Sequence, residues 1–77
     1  MLLPLELVNS GEWAEVAEVK GEPGWIGRLA ELGIRAGIRL KVLRSGCPCL
    51  LQIDGSRLSL RGELAMQILV SPLAAAS

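Results

Sequence analysis

The chain has 77 residues, a formal net charge of zero, no histidine and two cysteines. That length fits one domain, and the charge balance excludes an overall electrostatic pull toward nucleic acid or anionic lipid. Apolar residues make up 51% of the chain, enough aliphatic material for a β-rich core, yet there is no Phe or Tyr.

At the start, "MLLPLELV" lacks a basic leader and is broken by Pro4 and Glu6. It therefore reads as neither a signal peptide nor a spanning helix. "GEWAEVAEV" (11–19) reads as a first strand, with Ala14 and Val16 on one face and Glu15 and Ala17 on the other. Val19 breaks the alternation, which points to a bulge. "KGEPG" (20–24) is a turn cluster. In "WIGRLAELG" (25–33), Trp25, Ile26, Leu29 and Leu32 share one face of a short helix. Pro23 sits near its start. Gly33 falls where a left-handed residue ends a helix, so Ile34 can pack back on Leu29 as in a Schellman motif.

"IRLKVLR" (38–44) alternates cleanly, with Ile38, Leu40 and Val42 inward and Arg39 and Lys41 outward. "CLLQID" (49–54) places Cys49, Leu51 and Ile53 on one face. Asp54-Gly55 is a strong type I′ hairpin signal, and "RLSL" (57–60) follows with Leu58 and Leu60 inward. "RGELAMQI" (61–68) reads as a second short helix, with Leu64 and Ile68 one turn apart beside Ala65, and "LV" (69–70) as a closing strand. The expected fold is mainly β, a small closed or half-closed barrel of about five strands with two short helices. Residues 1–71 form the expected domain and 72–77 a frayed tail.

The stretch from Arg28 to Val70 resembles the FeoA family. The residues that carry the resemblance are "RLAELGIRAGIRLKVL", then a hairpin, then "GSRLSLRGELAMQILV". "LELVNSGEWAEVAEV" stands where the family's opening segment falls. Ala36 departs from a position where the family often has proline, and Leu-Ser-Leu stands for Leu-Ala-Leu. The resemblance implies an SH3-like β-barrel and a cytoplasmic accessory protein of ferrous iron uptake. Its implied partner is the cytosolic part of a FeoB-type permease.

"SGCPC" (45–49) holds both cysteines. A disulfide across Pro48 would be strained, so both are read as reduced thiols. Zinc sites want about four ligands, and this chain offers Cys47 and Cys49 alone, without histidine. The expectation is that Cys49 is a small buried hydrophobe and that Cys47 lies in the hairpin loop. The competing reading is a two-thiolate site for Fe(II) or Zn(II), in a sensor or carrier; no cofactor is otherwise required.

Charge is unevenly spread: residues 1–23 hold five acids and one base, and residues 24–77 seven bases and three acids. Arg39, Lys41 and Arg44, with Arg57 and Arg61, are either an ordinary solvated face or a partner-binding one. A nucleic-acid-binding barrel is a weaker reading, because both tryptophans precede residue 26 and none interleaves with the basic groups along the chain. Catalysis lacks support, since there is no His and no G-x-S-x-G, and "GEPGWIG" lacks the lysine of a phosphate loop. The chain therefore reads as a non-enzymatic docking module. Trp25, Leu29, Leu32, Ile34 and Arg39 are the expected contact residues, around a groove between the helical connection and the basic hairpin. An exposed sheet edge makes a strand-mediated homodimer a further expectation.

Overall fold

A computed structural model describes residues 2–46, 48–61 and 65–73. In chain order the elements are β1 (Leu3–Pro4), a 3₁₀ turn (Leu5–Leu7), β2 (Trp13–Val19), α1 (Pro23–Glu31) and β3 (Arg39–Arg44). Then come β4 (Cys49–Ile53), β5 (Ser56–Leu60) and β6 (Ile68–Pro72). The six strands form one antiparallel sheet in the order β1-β6-β2-β3-β4-β5. The fold is mainly β and SH3-like, with β1 and β5 left as edges rather than joined.

Alternation explains β3, β4 and β5. Leu40 and Val42, then Cys49, Leu51 and Ile53, then Leu60, turn inward and are buried. Ala14 and Val16 of β2 and Ile68 and Val70 of β6 complete the inner face. Among the described residues no polar or charged side chain is buried. The core is thus held by apolar burial and packing, with no internal ion pair to satisfy. β2 shifts register between Val16 and Glu18, the bulge that Val19's broken alternation announces.

The helix spans Pro23–Glu31, two residues upstream of the expected 25–33, with Pro23 in its first turn. Its end is a Schellman cap. Gly33 N–H donates to Ala30 O at 3.0 Å and Ile34 N–H to Leu29 O at 2.8 Å. Gly33 takes φ +98°, the left-handed region. Leu29 and Ile34, 0% and 1% exposed, are thereby set side by side in the core.

Several expectations change. The sheet has six strands against an expected number of about five, the addition being β1, which pairs with β6 (Leu3 with Val70, Pro4 with Leu69). Two helices were expected. Only α1 is an α-helix of more than one described residue, and the 3₁₀ turn was not foreseen. The 61–68 helix falls partly on 62–64, outside the described residues; Ala65 is helical, its N–H donating to Arg61 O at 3.0 Å. Ile68 is no helix residue: it opens β6 opposite Val19. β6 also runs through Pro72, the first residue of the expected tail, which pairs with Ala14. No helix is long and apolar enough to cross a membrane among the described residues.

Two glycines near this cap should respond with opposite sign. At Gly33, alanine must adopt a left-handed conformation, and its Cβ would lie 3.6 Å from Ile53 Cγ2. Gly33→Ala is expected to cost about 1–2 kcal/mol. Gly27 lies inside α1 with nothing within 4 Å of an added Cβ. Gly27→Ala is expected to stabilise by about 0.5–1 kcal/mol. Urea unfolding midpoints of both variants check the pair.

Candidate functional site: a groove at the hairpin end of the sheet

A groove of about 480 Å³ opens where β2, β3 and the β4–β5 hairpin meet. Its lining is Trp13, Gly37, Ile38, Arg39, Gln52, Ile53, Asp54 and Gly55. Local sequence builds each wall. Ala14 and Val16 turn inward, so Trp13 and Glu15 face out, and Trp13 is left 48% exposed. Ile38 and Ile53 form the apolar part. Asp54 (φ +46°) and Gly55 (φ +83°) make the two-residue turn at the tip, both left-handed as a type I′ turn requires. Arg39 stands opposite Glu15 on the neighbouring strand, Nε to Oε1 3.5 Å. That pair is solvent-exposed, so it orients the guanidinium more than it stabilises the fold.

The helix end reaches the same place, because Gly33 faces Ile53. Leu32, one residue earlier, is 51% exposed. Trp13 lines the groove, and Leu32, outside its lining, is a second large apolar side chain left in water.

The expected contact residues divide. Arg39 lines the groove; Leu32 is exposed at the helix end, outside that lining. Leu29 and Ile34 are core residues and cannot touch a partner; they support the helix end from beneath. Trp25 is half-buried near the helix start, against a smaller cleft of about 270 Å³ with Gly21, Glu22 and Gln67. Its buried Nε1 has no hydrogen-bond partner among the described residues. Trp13, Ile38, Ile53 and the hairpin tip were not foreseen as site residues. The alternation around Ala14 and Val16 is the signal that places Trp13 outward. Strand pairing also sets Trp13 beside Lys41, Lys41 beside Gln52 and Gln52 beside Arg57, one outward row across four strands. Residue order along the chain hides this neighbourhood of tryptophan and cations.

In "SGCPC", Cys49 is 0% exposed and opposite Leu60, an apolar filler of the inner face as expected. Cys47 lies outside the described residues. The base of this segment is pinned to the loop before β2: Ser45 N–H donates to Ser10 Oγ at 2.8 Å. Among the described residues no three His, Cys, Asp or Glu side chains gather as a metal site. Burial pushes the Cys49 thiol above its ordinary pKa, and the Glu6 charge adds to the effect.

A FeoA domain model matches residues 3–72, from β1 through β6. "Putative Fe(2+) transport protein A" of Methanocaldococcus jannaschii is 33% identical over 70 residues, covering 90% of this chain and 85% of that protein. The solution structure of a FeoA protein from Chlorobium tepidum superposes with a TM-score of 0.86 at 36% identity, over 97% of this chain and 74% of that one. A crystal structure titled as an iron uptake regulatory protein (FeoA) gives a TM-score of 0.87 at 26% identity, over 95% and 99%. The fold is that of a small SH3-like β domain. The chain belongs to the FeoA family.

The Cys49 thiol predicts a pH effect. The unfolded thiol loses its proton first, from about pH 8.5, while the buried one holds it. Stability is therefore complete below that range and falls as pH rises through it toward the higher folded pKa. The slope is at most about 1.4 kcal/mol per pH unit. Urea midpoints at about pH 7 and about pH 10 should fall more for the wild type than for Cys49→Ala. Equal falls would mean that this thiol carries no such linkage.

Proposed function

We propose that this chain is a non-enzymatic accessory protein of ferrous iron transport that docks on the cytosolic part of a FeoB-type permease. The iron-transport assignment is supported by the family match and by the name of the relative from Methanocaldococcus jannaschii. The observation that carries docking is the exposure of Trp13 on an apolar-floored groove, with Leu32 exposed at the end of α1. Binding energy in such contacts concentrates in a few aromatic and aliphatic anchors that fit pockets. Trp13 and Leu32 supply the anchors, Ile38 and Ile53 the floor, and Arg39 a charge at the rim. Leu29 and Ile34 hold the helix end rigid, so little order has to be created on binding.

The test is calorimetric titration of the reduced protein with the purified cytosolic domain of a FeoB-type permease. Wild type is expected to bind. Leu32→Glu and Trp13→Ala should each weaken binding about tenfold or more, about 1.4 kcal/mol, with circular dichroism unchanged because both side chains are exposed. Arg39→Ala should act mainly on the association rate and its salt dependence. A wild type that does not bind, or anchor variants that bind as well as wild type, would reject the proposal.

A further inference from the structure

The two sheet edges are not equivalent. β1 is two residues long and contains Pro4, both of which discourage further pairing. β5 is five residues, Ser56-Arg57-Leu58-Ser59-Leu60, with neither proline nor carboxylate. Its one strand neighbour among the described residues is β4.

The hairpin turn fixes which backbone groups of β5 are free. The turn bond runs from Ser56 N–H to Ile53 C=O, and Ile53 pairs with Ser56. In an antiparallel ladder, bonded and non-bonded pairs alternate. Ser56, Leu58 and Leu60 therefore bond inward to β4. Arg57 and Ser59 direct their N–H and C=O groups outward, where they meet no strand among the described residues.

We propose that this edge is self-complementary, and that two copies of the chain pair through β5 about a two-fold axis at Leu58. In that register Arg57 of each copy lies opposite Ser59 of the other, and the outward groups of both residues form four inter-chain backbone hydrogen bonds. Leu58, half-buried at the margin of the core, meets its own copy across the axis and loses further solvent exposure.

Charge selects this register. A two-fold axis at Arg57 would set the two guanidinium groups directly opposite. An axis at Ser59 would bring Arg57 opposite Arg61 twice. Like charges directly opposite on neighbouring strands are destabilising. Pairing about Leu58 leaves no such clash, and it keeps outward-bonding residues facing one another. A five-residue strand pair buries less than the ~1,000 Å² of a stable interface. The dimer is therefore weak and concentration-dependent. This inference does not rest on the docking reading, since none of the anchors proposed there belongs to β5.

Sedimentation equilibrium of the reduced full chain, from about 10 μM to about 1 mM, reads the association directly. Wild type should shift from monomer toward dimer over that range. Ser59→Arg places two new arginine pairs across the axis and should weaken the dimer about three- to tenfold. Ser59→Glu places a carboxylate opposite each Arg57 and should tighten it by a similar factor. Both effects should shrink at high salt. Position 59 is exposed, so circular dichroism should show both variants folded. A wild type that stays monomeric at every concentration, or two variants that change association in the same direction or not at all, would overturn the proposal.

Discussion

The left-handed turn at Gly33 is the constraint on which the site depends. A helix of nine residues does not hold itself together in water; packing of its apolar face must supply the stability. The cap lets the chain reverse within two residues, so that Leu29 from the helix and Ile34 from the exit enter the core together. The exit then binds to the sheet, with Gly37 N–H donating to Val16 O at 2.7 Å and Val16 N–H to Ile38 O at 2.8 Å. One consequence falls outside the core. Leu32, the residue at the cap, is left in solvent just before Gly33 meets Ile53.

Among the described residues no polar or charged residue is fully buried. Burial holds the Cys49 thiol protonated, the opposite of nucleophile activation. What the outside offers is shape and charge. Strands β3, β4 and β5 carry Arg39, Lys41, Arg44 and Arg57 and no carboxylate, while β2 contributes Glu15 opposite Arg39. Zero net charge on the whole chain hides this local division.

Much of the fold was legible in the residues, for definite physical reasons. Period-two alternation reads as a half-buried strand in 38–42, where aliphatic residues alternate with Arg39 and Lys41, and in 49–53 Cys49, Leu51 and Ile53 keep the same period. Asp54-Gly55 and Gly33 announced their turns because few residues tolerate positive φ. The failures have reasons as well. β1 and the 3₁₀ turn are too short to show a period, yet Leu5 and Val8 are core residues. Ile68 satisfies two patterns at once, one helical turn from Leu64 and alternating with Val70. Pairing with Val19, distant in sequence, decides for the strand. Leu29 and Leu32 share a helical face in any wheel, so periodicity could not tell which lies in the core and which outside it. Trp13 needed register as well as alternation, since its neighbours Lys41 and Ile53 come from other strands.

The β4–β5 hairpin belongs to both surfaces. Its tip, Asp54 and Gly55, is a groove wall, and its outer strand is the open edge. A two-stranded arm with one unpaired side is held less firmly than a central strand, because half of its backbone groups bond only to water. Any neighbour that completes the β5 ladder restrains the arm along its whole length, and the tip is joined to that arm by a two-residue turn that leaves little slack. Order gained at the edge is then order already present at the groove wall. A ligand of the groove would meet a wall whose ordering had been settled beforehand, which favours binding without any change in the contacts themselves.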